Sequence, residues 1–265
     1  MNDLCAILND AAAYVHYWLE KQPAVKEESL TDWLLFEISE RSNLIKYRAY
    51  TRHQEGRTTG ADWEWWIIGK TSSLRLRVQA KKALGKKDLY PNLMRTTKHG
   101  LQIEKLIADA KAVNAIPMYA FFSSIRAYGF CSGLGPKPGG VYLSSAHRIQ
   151  STFLAKGRAK IIPKDVLSIA NPISCAFCCP LSKKNQSLIE YFHDYFAEEF
   201  SAKAPDNERV GLHEELPWYI KTMLDSENVN NFQESDESDI PSGFNAVLII
   251  DLRKEEHCNG HRVET

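Results

Sequence analysis

Apolar and polar side chains alternate in two neighbouring stretches of the chain, residues 61–68 and 74–81. Alternation with a period of two predicts β-strands, because successive side chains of a strand point to opposite faces of a sheet. If the two strands pair, their charged side chains meet on one face. The predicted faces are Ala61, Trp63, Trp65, Ile67, Leu74, Leu76, Val78 and Ala80 on one side, and Asp62, Glu64, Trp66, Ile68, Arg75, Arg77, Gln79 and Lys81 on the other.

Helical and strand patterns occur on both sides of this central pair. Apolar residues recurring at intervals of three and four predict helices, and short apolar runs predict strands that are buried in a sheet. This succession predicts an α/β fold with a mixed central sheet flanked by helices. The predicted helices are 3–22, 27–42, 102–113, 145–152 and 186–200, and the further strands are 45–51, 116–122, 141–143 and 245–252.

The composition is that of an ordinary globular protein. Hydrophobic residues make up 44% of the chain, and the mean hydropathy is −0.36. The sequence has no apolar run of the roughly 18 residues that a membrane-spanning helix needs, and no basic region precedes the short apolar run near the N-terminus. These features predict a cytoplasmic protein without a membrane partner.

The formal net charge is zero, but the charges are unevenly distributed. Residues 70–111 carry eleven Lys or Arg against three acids, whereas residues 186–265 carry eighteen acids against six basic residues. The basic segment predicts a surface for nucleic acid, and a solvated face is the alternative. The residues predicted to contact nucleic acid are Arg75, Arg77, Lys82, Lys86 and Lys87.

Four groups on the two central strands have the chemistry of a divalent-cation site. Asp62 is an anionic ligand, and the side chain of Gln79 and the carbonyl of Ala80 are neutral oxygen ligands. Lys81 follows directly and would lie near an attacking water or a phosphate. The pattern predicts Mg²⁺, with Mn²⁺ as a substitute, at a site that cleaves phosphodiester bonds.

The same residues resemble a known family. Asp62, followed seventeen positions later by Gln79-Ala80-Lys81, is similar to the D…(E/Q)xK signature of the PD-(D/E)XK, or restriction-endonuclease-like, nuclease superfamily. The glutamine form is similar to that of Mrr-type enzymes and bacterial defence nucleases. The resemblance implies a restriction-endonuclease-like core, a Mg²⁺-dependent endodeoxyribonuclease activity on DNA, and a role in antiphage defence. It also implies an activating protein or a small-molecule signal. A homodimer is a separate expectation, which comes from the aromatic stripe of the predicted helix 186–200.

The family places a glutamate on a preceding helix, and this resemblance assigns that role to Glu37. Glu37 continues the apolar stripe of Leu30, Trp33 and Leu34, so the sequence predicts that it holds the metal or its water. Gln79 stands where many members carry an acid, and Glu64 on the face of Asp62 would supply the missing charge. Gln102, at the start of a predicted helix, would either approach this site or cap the helix.

Two alternatives compete with an enzyme. Asp62 and Glu64 beside Arg75 and Arg77 would also suit cross-strand ion pairs on a solvated sheet face. The same fold without metal chemistry would be a nucleic-acid-binding or assembly module. Such a module would bind DNA in EDTA as well as in magnesium.

The cysteines suggest a third alternative, a zinc-stabilised interaction protein. Cys175 and Cys178 have a CxxC spacing, and the matching ligands would come from residues 257–261, among them His257, Cys258 and His261. The sequence favours reduced cysteines in a packed apolar segment over this structural zinc.

The chain divides at about residue 160 in this interpretation. Residues 1–160 would form the nuclease-like core, and residues 161–265 a helical, acidic extension packed on it. The stretch 225–242 is acidic and poor in apolar residues, which predicts a mobile loop. The aromatic stripe of the predicted helix 186–200 suits either core packing or a dimer face.

Overall fold

The structure is a computed structural model of the 265-residue chain. It describes residues 2–50, 60–83, 90, 93, 96–97, 100–125, 130–131, 135–136, 139–157, 161–178, 187–198, 210–225 and 244–253. The helices are α1 Asn2–Lys21, α2 Glu27–Glu40, α3 Gln102–Ala112, α4 Ala146–Ile149, α5 Pro163–Leu167, α6 Cys175–Cys178, α7 Leu188–Glu198 and α8 Trp218–Asp225, and α4 continues as a π-helical turn over Gln150–Leu154. The strands are β1 Ile45–Ala49, β2 Trp63–Ile68, β3 Ser73–Lys82, β4 Thr96–Thr97, β5 Gly100–Leu101, β6 Ile116–Phe122, β7 Phe130–Cys131, β8 Gly135–Pro136, β9 Val141–Ser145, β10 Asn171–Pro172, β11 Leu212–His213 and β12 Ala246–Asp251.

One mixed sheet organises the molecule, with the strand order β1-β12-β2-β3-β6-β9-β10 and with β11 paired to β3. Strands β2 and β3 are antiparallel, as their alternation predicted, and β3 runs parallel to β6. The helix α3 makes the crossover that a parallel pair requires. The predicted α/β class with a mixed sheet flanked by helices is confirmed.

The position of β12 corrects the predicted division of the chain. β12 lies between β1 and β2, antiparallel to the first and parallel to the second. Its register with β2 runs from Ala246 opposite Trp63 to Asp251 opposite Ile68. The last third of the chain therefore supplies an interior strand of the sheet and is not an extension packed on a finished core.

The two faces of the sheet are covered by different helices. The face of Trp63 and Trp65 packs against α1, α2 and α7, and the opposite face packs against α3, α4 and α8. Trp66 and Ile68 lie under α8, because α2 buries its apolar stripe on the other face of the sheet.

A disulfide joins Cys5 of α1 to Cys178 of α6, 173 residues apart in sequence. The expectation of reduced cysteines is therefore wrong for this pair, and the Cys178 sulfur is not a zinc ligand here. Cys175 is buried and keeps its thiol. The other predicted zinc ligands, His257, Cys258 and His261, lie outside the described residues, as does most of the predicted acidic loop 225–242.

No helix in the described ranges combines the length and the apolar character that crossing a membrane demands.

Candidate active site at the end of strand β3

Asp62 is held where β3 extends beyond its antiparallel partner. The ladder between β2 and β3 ends at the pair of Trp63 and Val78. The next two residues of β3, Gln79 and Ala80, therefore contact Asp62, which directly precedes β2. The backbone N–H of Ala80 donates to Asp62 Oδ2 at 2.7 Å, and the side-chain amide of Gln79 donates to the same oxygen. The predicted convergence of Asp62 with Gln79 and Ala80 is present.

The start of α3 closes one side of this site. Gly60 has φ +75°, and a Cβ there would lie 3.0 Å from the carbonyl oxygen of Gln102, so a glycine suits this close approach. Gln102 Nε2 donates to Gln79 Oε1 at 2.7 Å, whereas Leu101 occupies the N-cap position of α3. Gln102 thus contacts the site and does not cap the helix. Its Oε1 is buried and has no hydrogen-bond partner among the described residues.

A lysine and a glutamate complete the cluster. Lys81 Nζ lies 3.9 Å from Glu27 Oε1, and the other carboxylate oxygen of Glu27 accepts the backbone N–H of Lys82 at 2.5 Å. Glu27 is the first residue of α2, and its carboxylate contacts the last two residues of β3. The negative charge of Glu27 contributes to the raised pKa of the Asp62 carboxyl.

The glutamate that the structure brings next to Lys81 is therefore Glu27, whereas the predicted Glu37 lies elsewhere on the same helix. Glu37 lies ten residues further along α2, a distance of about 15 Å at 1.5 Å per residue. It lines a surface groove with α1, and its carboxylate is 4.0 Å from Arg41 Nη1. Glu27 carried its own sequence signal, since it stands three and seven positions before the buried residues Leu30 and Leu34.

Burial and charge make the Asp62 carboxyl easy to protonate. Burial is the main reason why its pKa is raised to about 7; the negative charge of Glu27 acts in the same direction, and Lys81 and the Ala80 N–H act against it. Burial also raises the pKa of Glu27, against the lowering effect of Lys81. Two close carboxylates in this state are stabilised by an added cation.

Glu64 is on the predicted face of Asp62 but belongs to a separate cluster. It is fully buried, accepts hydrogen bonds from Arg75 Nη2 at 2.7 Å and from the Tyr219 hydroxyl at 2.5 Å, and lies 3.3 Å from Arg77 Nε. Trp66 Nε1 donates to it as well. These partners occupy the Glu64 carboxylate, so it does not add charge to the Asp62 site.

The cluster around Glu64 also changes the role predicted for the basic residues of β3. Arg75 and Arg77 are buried, and Arg77 lies 3.4 Å from Asp109 of α3 and over the ring of Phe244. Lys82 is buried too, with its Nζ bound to the carbonyls of Pro23 and Val25. None of the three is available to nucleic acid.

The hypothesis of cross-strand ion pairs holds in part. Glu64 and Arg77 are opposite each other in the ladder and form an ion pair, but their face of the sheet is covered and not solvated. Lys86 and Lys87, also predicted to bind nucleic acid, fall outside the described part of the chain.

Tyr119 is a residue of this region that the sequence did not indicate. It is opposite Gln79 in the parallel ladder between β3 and β6, and it is fully buried. Within the described ranges its hydroxyl has no hydrogen-bond partner. Burial raises its pKa and the charge of Asp62 raises it further, so the hydroxyl stays protonated beside the carboxylate.

The pKa of Asp62 predicts how metal binding depends on pH. Because a carboxylate must lose its proton to bind a cation, we expect the affinity for Mn²⁺ to fall about tenfold for each pH unit below about 7 and to level off above it. Isothermal titration calorimetry between pH 5.5 and 8.5 measures this. An affinity that does not change over this range would contradict the prediction.

Metal-free stability provides the control for that titration. The pKa of Asp62 is raised in the folded chain, so its contribution to stability is full below its unfolded value near 4 and is lost as the pH rises through about 7. The Asp62→Asn variant lacks this contribution. We therefore expect the unfolding free energy of the wild type to fall relative to that of the variant as the pH rises from about 4 to about 7.

The site lies within a range of the chain that matches a protein family. Residues 4–256 match a family of unknown function, DUF6615. No curated protein and no solved structure matches the chain significantly. The matched range contains every side chain of the site, from Glu27 to Gln102, and also the interior strand β12. Because the match extends over nearly all of its 265 residues, the chain belongs to the DUF6615 family.

Proposed function

We propose that this chain is a metal-dependent nuclease that hydrolyses phosphodiester bonds of nucleic acid, with DNA as the favoured substrate. The convergence of Asp62, Gln79, Lys81 and Glu27 at the end of β3 carries the proposal. Two carboxylates, an amide and an ammonium group in one cluster are the groups that phosphodiester hydrolysis uses. They come from strand β3, from helix α2 and from the residue just before β2, so the tertiary fold is what assembles them.

The donor set fits Mg²⁺. The cation prefers oxygen ligands, binds through one or two carboxylates and keeps several of its waters. Asp62, Glu27, the Gln79 side-chain oxygen and the Ala80 carbonyl would hold it. In the described ranges no group of three or more His, Cys, Asp or Glu is arranged as a metal site. A site with two carboxylates therefore depends on the neutral oxygens and on water.

Rotation of one amide brings its oxygen into place. Gln79 now directs Nε2 toward Asp62 and Oε1 toward Gln102. The two ends of a side-chain amide are almost the same in shape, so a half turn exchanges them at no steric cost. If Gln102 turns as well, its unpartnered Oε1 accepts from Gln79 and the hydrogen bond between the two amides is kept.

The residues of the chain have distinct tasks in this mechanism. The bound cation supplies positive charge that makes water more acidic and neutralises the phosphate oxygens. The Lys81 ammonium group stabilises the negative charge that develops on the phosphate as water attacks in line with the leaving oxygen. Glu27 orients Lys81 through their ion pair. The Ala80 N–H holds Asp62 in place.

Arg75, Arg77 and Lys82 are engaged by protein partners, which limits how the substrate is held. Lys81 is buried as well, at 4% exposed, with its ammonium group 3.9 Å from Glu27 Oε1. Lys81 is the cation of β3 that lies in the cluster with Asp62. Lys86 and Lys87 follow β3 within a few residues, and their contact with nucleic acid stays a prediction.

The proposal is tested by incubating supercoiled plasmid DNA with the purified chain in Mg²⁺, in Mn²⁺ and in EDTA. We expect nicked or linear DNA with either metal and none in EDTA, because the acidic cluster needs the cation to activate water. A single-stranded DNA and an RNA of the same sequence, labelled at one end, identify the preferred substrate and distinguish internal from terminal cleavage.

Two results would count against a nuclease. The first is an absence of cleavage together with an absence of Mn²⁺ binding by calorimetry. The second is DNA binding that is as strong in EDTA as in magnesium, with no cleavage of any of the three substrates. The second result would identify a binding module with the same fold.

A further inference from the structure

A groove separates α1 from α2 on the outer side of the helical layer, at the opposite end of α2 from the candidate active site. Its volume is about 420 Å³. The ion pair between Asp10 and Arg41, at 2.8 Å, closes one end. The groove is lined by Asp10, Ala11, Tyr14, Trp33, Glu37 and Arg41.

Aromatic rings form the wall of this groove and continue beyond it. Tyr14 stacks on Trp33 with ring centroids 4.4 Å apart, and Trp18 packs edge-on against both rings. Tyr14, Tyr17 and Phe36 are 49%, 54% and 53% exposed. Clustered exposed aromatic side chains are typical of protein interaction surfaces, where they contribute most of the binding energy.

The net charge of residues 2–41, which contain α1 and α2, favours a basic partner. Residues 2–41 carry eight acidic and three basic side chains, and of the acids Glu27 faces the candidate active site. Within the groove, Arg41 is hydrogen-bonded to Asp10, whereas Glu37 is 4.0 Å from Arg41 and its side chain is 35% exposed. The Glu37 carboxylate therefore has room for a second cation.

We propose that this groove binds an arginine side chain of a basic protein segment. A guanidinium group stacks on an aromatic face and pairs with a carboxylate through two parallel hydrogen bonds. Tyr14 is 49% exposed and stacks on Trp33 with one face, so its ring offers the other face, and Glu37 offers the carboxylate. A polyanion such as nucleic acid is repelled by the net negative charge of residues 2–41, and so is the acidic stretch 225–242 of the chain itself.

The proposal does not depend on nuclease activity. Glu37 is about 15 Å along α2 from Glu27. A change in the groove therefore leaves the groups around Asp62 in place, and either proposal can fail without the other.

Fluorescence anisotropy with a labelled octapeptide of alternating Arg and Ala residues tests the groove. We expect Tyr14→Ser to weaken binding about tenfold and Glu37→Gln about fivefold, because each removes one contact of the guanidinium group. Two matched controls make the same changes on exposed residues outside the groove. These are Tyr17→Ser and Glu40→Gln, which are expected to change the affinity less than twofold.

Other outcomes would overturn the proposal. Equal losses for Glu37→Gln and Glu40→Gln would show that the peptide follows net charge and not the groove. Failure of the peptide to bind at millimolar concentration would also reject it. Sedimentation velocity tests whether the groove instead binds a second copy of the chain. A dimer that Tyr14→Ser dissociates and Tyr17→Ser does not would assign the groove to that second copy.

Discussion

Lys81→Met and Asp62→Asn are each expected to lower metal-dependent DNA cleavage by about 10³-fold, which corresponds to about 4 kcal/mol of lost transition-state stabilisation. Both substitutions nearly keep the volume of the side chain and remove its charge. Lys81 is the ammonium group of the cluster, and Asp62 is the carboxylate around which Gln79 and Ala80 are arranged.

The two variants are expected to differ in one measurement. Asp62→Asn should lose affinity for Mn²⁺ because it removes an anionic ligand, whereas Lys81→Met should keep it. Lys111→Met is the matched control, since Lys111 is an exposed lysine at the last turn of α3. Circular dichroism and thermal unfolding show that each variant is folded. Cleavage at the wild-type rate by a folded Lys81→Met or Asp62→Asn variant would remove that residue from the mechanism.

Glu64→Gln is expected to destabilise the fold by about 3–5 kcal/mol, because removing one charge of a buried ion-pair cluster leaves its partners uncompensated. Glu64 is 0% exposed and serves Arg75, Arg77, Trp66 and Tyr219 together. A loss of this size is a large part of the stability of a typical domain. The effect is on stability, since Glu64 does not belong to the Asp62 site.

Urea unfolding followed by tryptophan fluorescence measures this loss. Glu28→Gln makes the same change on an exposed residue of α2 and should alter the unfolding free energy by less than about 0.5 kcal/mol. Tyr219→Phe removes one hydrogen bond to the same carboxylate and should cost about 1.5–3 kcal/mol. This intermediate variant keeps the test informative if Glu64→Gln does not fold. Equal stability of all three variants would contradict the structural role of the cluster.

Local sequence patterns predicted the elements and the two faces of the central strands well. Alternation over 61–68 and 74–81 placed Trp63 and Trp65 on one side and Trp66 on the other, and the structure buries them on those sides. It also placed Asp62 beside Gln79, because the period of a strand fixes side-chain direction once two strands are paired.

The choice between Glu27 and Glu37 could not be made from the helix alone. Both glutamates border the apolar stripe of α2, so the pattern admits either. The direction in which the helix crosses the sheet decides, and that direction depends on packing against α1 and β1. As a result the N-terminal end of α2 meets β3, and Glu27 reaches Lys81 and the N–H of Lys82.

The burial of the basic residues on β3 was hidden for a similar reason. Positive charge along one strand indicates a surface for polyanions only if no other element covers that face. Here α3 and α8 cover it and supply Asp109 and Tyr219, which lie 32 and 142 residues after Arg77 in the chain. Such long-range partners leave no trace in the local pattern.

The interior position of β12 has a consequence for how the chain folds during synthesis. Strands β1 and β2 are made well before the strand that joins them, since Ala246 of β12 lies 183 residues after its partner Trp63 in β2. The facing edges of β1 and β2 therefore stay unpaired until β12 has left the ribosome. Contacts of such large sequence separation slow folding and expose unpaired strand edges to other chains meanwhile. In this chain the sheet on which the Asp62 cluster is built is complete only once β12 has been inserted between β1 and β2.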